Sequence, residues 1–198
     1  MTKLLYKDAP IIGLDISQTG IKIMSVDARK WLVLGYGSLD LDPQKVQASL
    51  DDPEDKYLTE NISALLQNNI VGQLSSDHVV VGVPTGKAYS RTFNIPLTQE
   101  KSLASAVEVE VEQYIPIPIS SLYVDYEIIS RTKESATVVL SAVPKAIVDT
   151  CVNAARQAGL NPVMVEPSIN AVARVIKATE EGNLSTLIVD IGPASTDI

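Results

Sequence analysis

Histidine and cysteine are nearly absent from this chain of 198 residues: His78 and Cys151 each occur alone. A single cysteine excludes an internal disulfide framework and suits a reducing compartment. A single histidine with no cysteine cluster beside it excludes the usual zinc spacings, and His78 reads as a strand-edge residue. Basic residues are also short, 16 Lys and Arg against 24 Asp and Glu, for a formal net charge of −8. No Lys/Arg stripe is visible, which argues against nucleic acid as the main partner, because phosphate backbones need one. Long hydrophobic runs are missing as well. No apolar stretch approaches the roughly 20 residues that a membrane-spanning helix needs. The opening M-T-K-L-L-Y-K-D-A-P is broken by Lys7 and Asp8 and makes no secretory apolar region. The expectation is a soluble, cytoplasmic protein without direct membrane insertion.

What is present is an ordinary folded composition, 45% hydrophobic and 20% charged, long enough for one large or two small domains. The stretch Ile11 to Val26 reads I-I-G-L-D-I-S-Q-T-G-I-K-I-M-S-V. Two apolar, strand-like runs flank the polar turn Ser17-Gln18-Thr19-Gly20, with Asp15 closing the first run and Lys22 early in the second. A hairpin tip of this kind exposes backbone N–H groups that can cradle a phosphate, and its Asp can hold water on Mg2+. Alone it is common turn chemistry, and an ordinary hairpin is the simpler reading. Leu187 to Ile198, L-I-V-D-I-G-P-A-S-T-D-I, repeats the logic with Asp190, Gly192, Ser195 and Thr196. Two such hairpins suggest an internal duplication with two phosphate-facing tips.

Between them, Trp31 to Leu41 predicts a third strand with Gly35 and Gly37 as weak points or bulges. Asp52-Pro53 predicts a helix start, with Asp52 as N-cap and Glu54 and Asp55 in the first turn. Leu58, Ile62, Leu65, Leu66 and Ile70 recur at helical spacing, and Gly72 is the candidate stop. His78 to Val83, ended by Pro84, reads as a buried parallel strand. The order β-β-β-α-β is that of a ribonuclease-H-like half.

The texture changes at Thr85. Ala88 to Ile95 alternates as a half-exposed strand. Leu103, Val107, Val111 and Tyr114 form a helical stripe, but V-E-V-E-V-E also alternates as a strand would. The start chemistry at Thr98 and Glu100 favours helix. Two prolines make Tyr114 to Ile119 an extended apolar segment. Leu122 to Ser130 and Thr137 to Val143 then pair around a polar turn. A helix follows from Pro144 with Ile147, Val148, Cys151, Val152 and Ala155 inward and Gly159 as its stop, before the short strand Val163 to Val165. This is a β-α-β-β-α-β insert.

The set G-L-D-I-S-Q-T-G-I-K, R-T-F-N-I-P-L, E-V-E-Q-Y-I-P-I-P, V-D-Y-E-I-I and V-E-P-S-I-N-A-V-A-R resembles the PilM family, actin-like ATPases of type IV pilus assembly related to FtsA. The hairpins are shared by the whole actin/Hsp70/sugar-kinase superfamily; Glu112 to Pro118 is the family-specific part. The resemblance implies an α/β fold, an actin-like ATPase (ribonuclease-H-like) domain with an inserted small α+β subdomain. Residues 1–84 plus 166–182 would form the first ribonuclease-H-like subdomain, 85–165 the insert, and 183–198 the start of a second half. It implies ATP and Mg2+ as cofactors. Asp15 would order the magnesium shell through water, as would Asp190; Lys22 would reach the β- or γ-phosphate; Ser17, Gln18, Thr19 and Gly20 would line the first phosphate loop. Asp190, Gly192, Ser195 and Thr196 would form the second, and Glu166 would position the attacking water, since phosphoryl transfer asks for orientation and electrostatics. The simpler reading of Glu166 is a helix-start acid.

Two departures bear on nucleotide binding. Ser17 stands where the family usually has glycine, and Pro193 removes a backbone donor from the second loop. The chain also stops at Ile198 beside the second turn, so the resemblance implies a protein nearly twice as long and poor ATP binding by this stretch alone. The implied partners are the cytoplasmic tail of a PilN-type inner-membrane protein, in an apolar groove walled by Tyr114 to Ile119, and other pilus assembly components, with a capacity for self-association. Stiffening of a connection is the competing reading of those prolines. The protein would then sit peripheral to the inner membrane through its partners. The alternatives are a non-catalytic scaffold of the same machinery and an FtsA-like division filament protein, which would need a C-terminal amphipathic membrane helix.

Overall fold

A computed structural model of the chain describes residues 11–52, 54–96, 103–179, 186–192 and 196–197. In chain order the elements are β1 (Ile12–Ile16), β2 (Gly20–Asp27), β3 (Leu32–Asp40), α1 (Pro43–Asp51), α2 (Tyr57–Asn68), β4 (Ile70–Gly72) and β5 (His78–Val83). They continue as β6 (Tyr89–Pro96), α3 (Leu103–Tyr114), β7 (Leu122–Arg131), β8 (Ser135–Pro144), α4 (Lys145–Gln157), β9 (Asn161–Pro167), α5 (Ser168–Thr179), β10 (Asp190–Ile191) and β11 (Thr196–Asp197). Two units result: one runs to Thr85 and resumes at Val148, the other is Gly86–Ile147.

The first unit holds a six-stranded sheet in the order β4-β3-β2-β1-β5-β9. β1 to β4 form an antiparallel meander, while β5 runs parallel to β1 and β9 parallel to β5. Strand alternation sends Ile12, Leu14, Ile16, Ile21, Ile23, Val79, Val81 and Val83 to one buried face. Val46 and Leu50 of α1 and Leu58, Ile62 and Leu65 of α2 are fully buried with them. Burying each such side chain contributes roughly 1.5–3 kcal/mol. The result is the expected meander continued by parallel strands.

Three local readings are corrected. A helix precedes the expected one: Asp42 caps α1 by accepting from the Gln44 N–H at 2.9 Å, with Pro43 in the first turn. Asp52 therefore ends α1, and α2 begins only at Tyr57, whose N–H donates to the Asp55 carboxylate at 2.7 Å. The Asp-Pro start signal occurs twice, and the helix begins at the earlier copy. Gly72 is not the helix stop; α2 ends at Asn69, whose N–H reaches the Leu65 carbonyl at 3.0 Å. Gly72 lies in β4 at φ +82°, where a Cβ would strike the Leu34 carbonyl. Gly35 and Gly37 are glycine because backbone crowds them: a Cβ on Gly35 would lie 2.5 Å from the Gln73 carbonyl oxygen. The expected irregularity is one residue away, where Leu34 is left unpaired between Ser25↔Gly35 and Val26↔Val33.

In the second unit β6, β8 and β7 form an antiparallel sheet in that order. Phe93, Ile95, Val138, Leu140 and Leu122 share a core with Val107, Val111 and Ile115. The contested segment is helix, α3, and its stripe runs to buried Ile115 instead of Tyr114, which is exposed. Its expected start chemistry at Thr98 to Glu100 falls outside the described residues. The insert is smaller than expected. β9 pairs with β5, Val81 opposite Val165, so Val163 to Val165 belongs to the large sheet and the second unit is β-α-β-β. A central parallel strand needs a neighbour on each side, and β9 supplies it. β10 and β11 form a separate two-stranded sheet, Ile191 opposite Thr196.

Two measurements test this packing. Gly37→Ala drives a methyl into the Asn69 carbonyl and should lower unfolding stability by about 1–3 kcal/mol in urea titrations. Cys151 is fully buried, which pushes its thiol up to about 12, so in native protein at pH 8 it should not react with a disulfide reagent until urea unfolds the chain.

Candidate functional site at the strand ends

Register builds the site. Lys22 lies opposite Asp15, Asp15 opposite Gly82, and Gly82 opposite Glu166. Residues paired this way share a face, so one row crosses β2, β1, β5 and β9 near the carboxyl ends of the parallel strands. That edge is where open α/β sheets bind ligands. The row lies on the face opposite the buried valines and isoleucines.

The first hairpin tip is tightly tied. The Ser17 N–H and the Ser17 hydroxyl both donate to the Gly20 carbonyl, at 2.9 and 3.0 Å. Ser17 thus spends its hydroxyl inside the turn. The Thr19 carbonyl accepts from the Leu41 N–H at 2.9 Å. Gly20 is buried against β3, and a Cβ there would lie 3.0 Å from the Leu39 carbonyl oxygen. Among the described residues the N–H groups of Gln18 and Thr19 make no hydrogen bond. Lys22 is exposed and forms no ion pair among them.

Asp15 is half-buried and held from a distant part of the chain. The Ser168 hydroxyl, at the start of α5, lies 2.5 Å from Asp15 Oδ1 and 3.1 Å from the Val83 carbonyl. The contact passes over Gly82, where a Cβ would sit 2.9 Å from Ser168 Oγ and 3.1 Å from Asp15 Oδ1. Glu166 is buried, 7% exposed, in β9 and not at a helix start. Both its oxygens accept from the Arg174 guanidinium, which is held protonated chiefly by that hydrogen bond. Asp190, Gly192 and Thr196 are exposed on the second hairpin, and Ser195 and Pro193 lie outside the described residues.

Sequence reading missed Ser168, Gly82 and Arg174. A lone glycine inside V-V-V-G-V signals a close backbone or side-chain approach, and it was available. The partner of Asp15 lies 153 positions along the chain and that of Glu166 eight positions on, and no local pattern announces them.

The residues fit a nucleotide with magnesium. Asp15 Oδ2 accepts no hydrogen bond among the described residues, and two N–H groups of the turn that follows β1 are open among them. No group of three or more acidic, histidine or cysteine side chains gathers among them. One carboxylate acting through water, with phosphates completing the shell, is how Mg2+ is commonly held.

The second unit carries its own concavities. One of about 320 Å³ is lined by Glu112 and residues 115–120. Another, about 230 Å³, lies beside Arg91, whose guanidinium stacks 3.3 Å from the Tyr114 ring centre and donates to Glu110 at 3.2 Å.

No helix among the described residues is long and apolar enough to cross a membrane. A solved structure described as a PilM-PilN type IV pilus biogenesis complex is similar, with TM-score 0.72 and 23% identity over 85% of this chain and 50% of that one. The cytoplasmic domain of EpsL, an inner membrane component of the type II secretion system of Vibrio cholerae, gives TM-score 0.52 at 17% identity, over 81% of this chain and 58% of that one. The chain thus spans about half the length of these proteins. These likenesses bear on the fold, which is that of actin-like ATPases. The family model for type IV pilus assembly protein PilM matches residues 13–198, and the chain belongs to that family.

Proposed function

We propose that this protein is a nucleotide-binding, actin-like component of the type IV pilus assembly platform, holding Mg-ATP at the strand-end row. The observation that carries the reading is the in-register placement of Lys22 and Asp15 beside the open N–H groups of Gln18 and Thr19. Those N–H groups and Lys22 would bind phosphate oxygens, and Asp15 would hold metal-bound water. Asp190, Gly192, Ser195 and Thr196 would form the second phosphate loop, in the start of a second half. Mg2+ when bound supplies charge neutralisation at the phosphates. In a wild-type full chain, calorimetry with Mg-ATP should give saturable heat that Asp15→Ala reduces at least tenfold in affinity, the order of 1.4 kcal/mol. No heat at all contradicts the reading.

A second reading has its own support. Glu166 is buried with both oxygens engaged by Arg174, so its carboxylate already has a structural partner. A non-catalytic scaffold that binds nucleotide without turnover, or binds none, is consistent with this. Phosphate release separates the two.

The partner we favour is the cytoplasmic tail of a PilN-type membrane protein, because the similar solved structure is a PilM-PilN complex. This would keep the protein in the cytoplasm, peripheral to the inner membrane; other assembly components and self-association belong to the same proposal. The apolar segment 115–119 is the wall offered to that tail. Ile117→Asp should weaken tail-peptide binding at least tenfold in fluorescence anisotropy, as loss of a buried apolar anchor does. Unchanged affinity rejects this groove.

A further inference from the structure

We infer that Ser168 is a positioning residue for Asp15, fixing its carboxylate so that the second oxygen faces metal-bound water at the phosphate edge. The inference rests on the nucleotide reading above. Ser168 Oγ has one proton, and its nearer acceptor is Asp15 Oδ1, at 2.5 Å against 3.1 Å for the Val83 carbonyl. A hydrogen bond from a hydroxyl to a carboxylate is short and strong because the acceptor is charged. With Oδ1 occupied, Oδ2 is left as the acceptor for a metal-bound water.

Helix capping does not account for this serine. In the first turn of α5 the Ile169 N–H donates instead to Thr85 Oγ1 at 3.2 Å. The Ser168 hydroxyl turns away from its own helix toward a residue 153 positions earlier. Gly82 completes the arrangement, because any side chain there would stand between the two partners. The same helix holds the other carboxylate of the row, through Arg174 and Glu166. Thus α5 sets both acidic groups at once.

The test is calorimetric titration of the full chain with ADP, with and without Mg2+, for wild type, Ser168→Ala, Ser168→Thr and Gly82→Ala. Wild type should bind ADP more tightly with Mg2+. Ser168→Ala should lose about tenfold of that magnesium-dependent gain, the order of one hydrogen bond to a charged group, while Mg-free affinity stays unchanged. Ser168→Thr keeps the hydroxyl and should retain the gain. Gly82→Ala should behave as Ser168→Ala does. If Ser168→Ala keeps the full magnesium gain, or loses Mg-free and Mg-bound affinity equally, the positioning role is wrong while nucleotide binding stands. If wild type binds no ADP under either condition, the nucleotide reading itself falls and takes the positioning role with it.

Discussion

The pairing register of β1 is the constraint on which the rest depends. Antiparallel to β2 and parallel to β5, it sets Lys22, Asp15 and Gly82 in one line, and β5 extends the line to Glu166. A shift of one residue would turn Asp15 into the buried face and Leu14 out of it. Leu14, Ile12 and Ile16 are almost completely buried, so the hydrophobic alternation that stabilises the sheet also fixes where the charges go. Stability and site geometry here share one cause.

Above that line, α5 acts as a cross-brace. Its first residue reaches Asp15 and its Arg174 pairs with Glu166, while Thr85 Oγ1 accepts from the Ile169 N–H in its first turn. A charged group buried without a partner is costly, and Glu166 shows the usual remedy, a two-pronged guanidinium. The remedy also ties Glu166 to a structural duty.

Much of the architecture was legible in the sequence for identifiable reasons. The hairpin at Ser17 to Gly20 and the run from His78 to Val83 carry period-two or continuous apolar signals that tolerate one reading. Residues 103–114 carried two signals; the structure is helix, with Val107 and Val111 one turn apart in the shared core. What failed was choice among equal local cues. Asp42-Pro43 and Asp52-Pro53 offer the same cap chemistry, and only tertiary packing ranks them. Val163 to Val165 is a strand in any context, and its sheet is set by β5, about 80 residues earlier in chain order. At the site, the types of Asp15 and Lys22 were readable from the turn, whereas their row with Gly82 and Glu166, and the partners Ser168 and Arg174, became visible only once helix and strands were brought together.

The most direct measurement of the central claim is an NMR titration of isotopically labelled protein with Mg-ADP, following backbone amides. If the strand-end row is a phosphate site, Gln18, Thr19, Gly82 and Ser168 should shift together and saturate with one dissociation constant, while residues of β4 and of the β7–β8 turn stay still. Shifts confined to other surfaces, or none at all up to millimolar nucleotide, would contradict it.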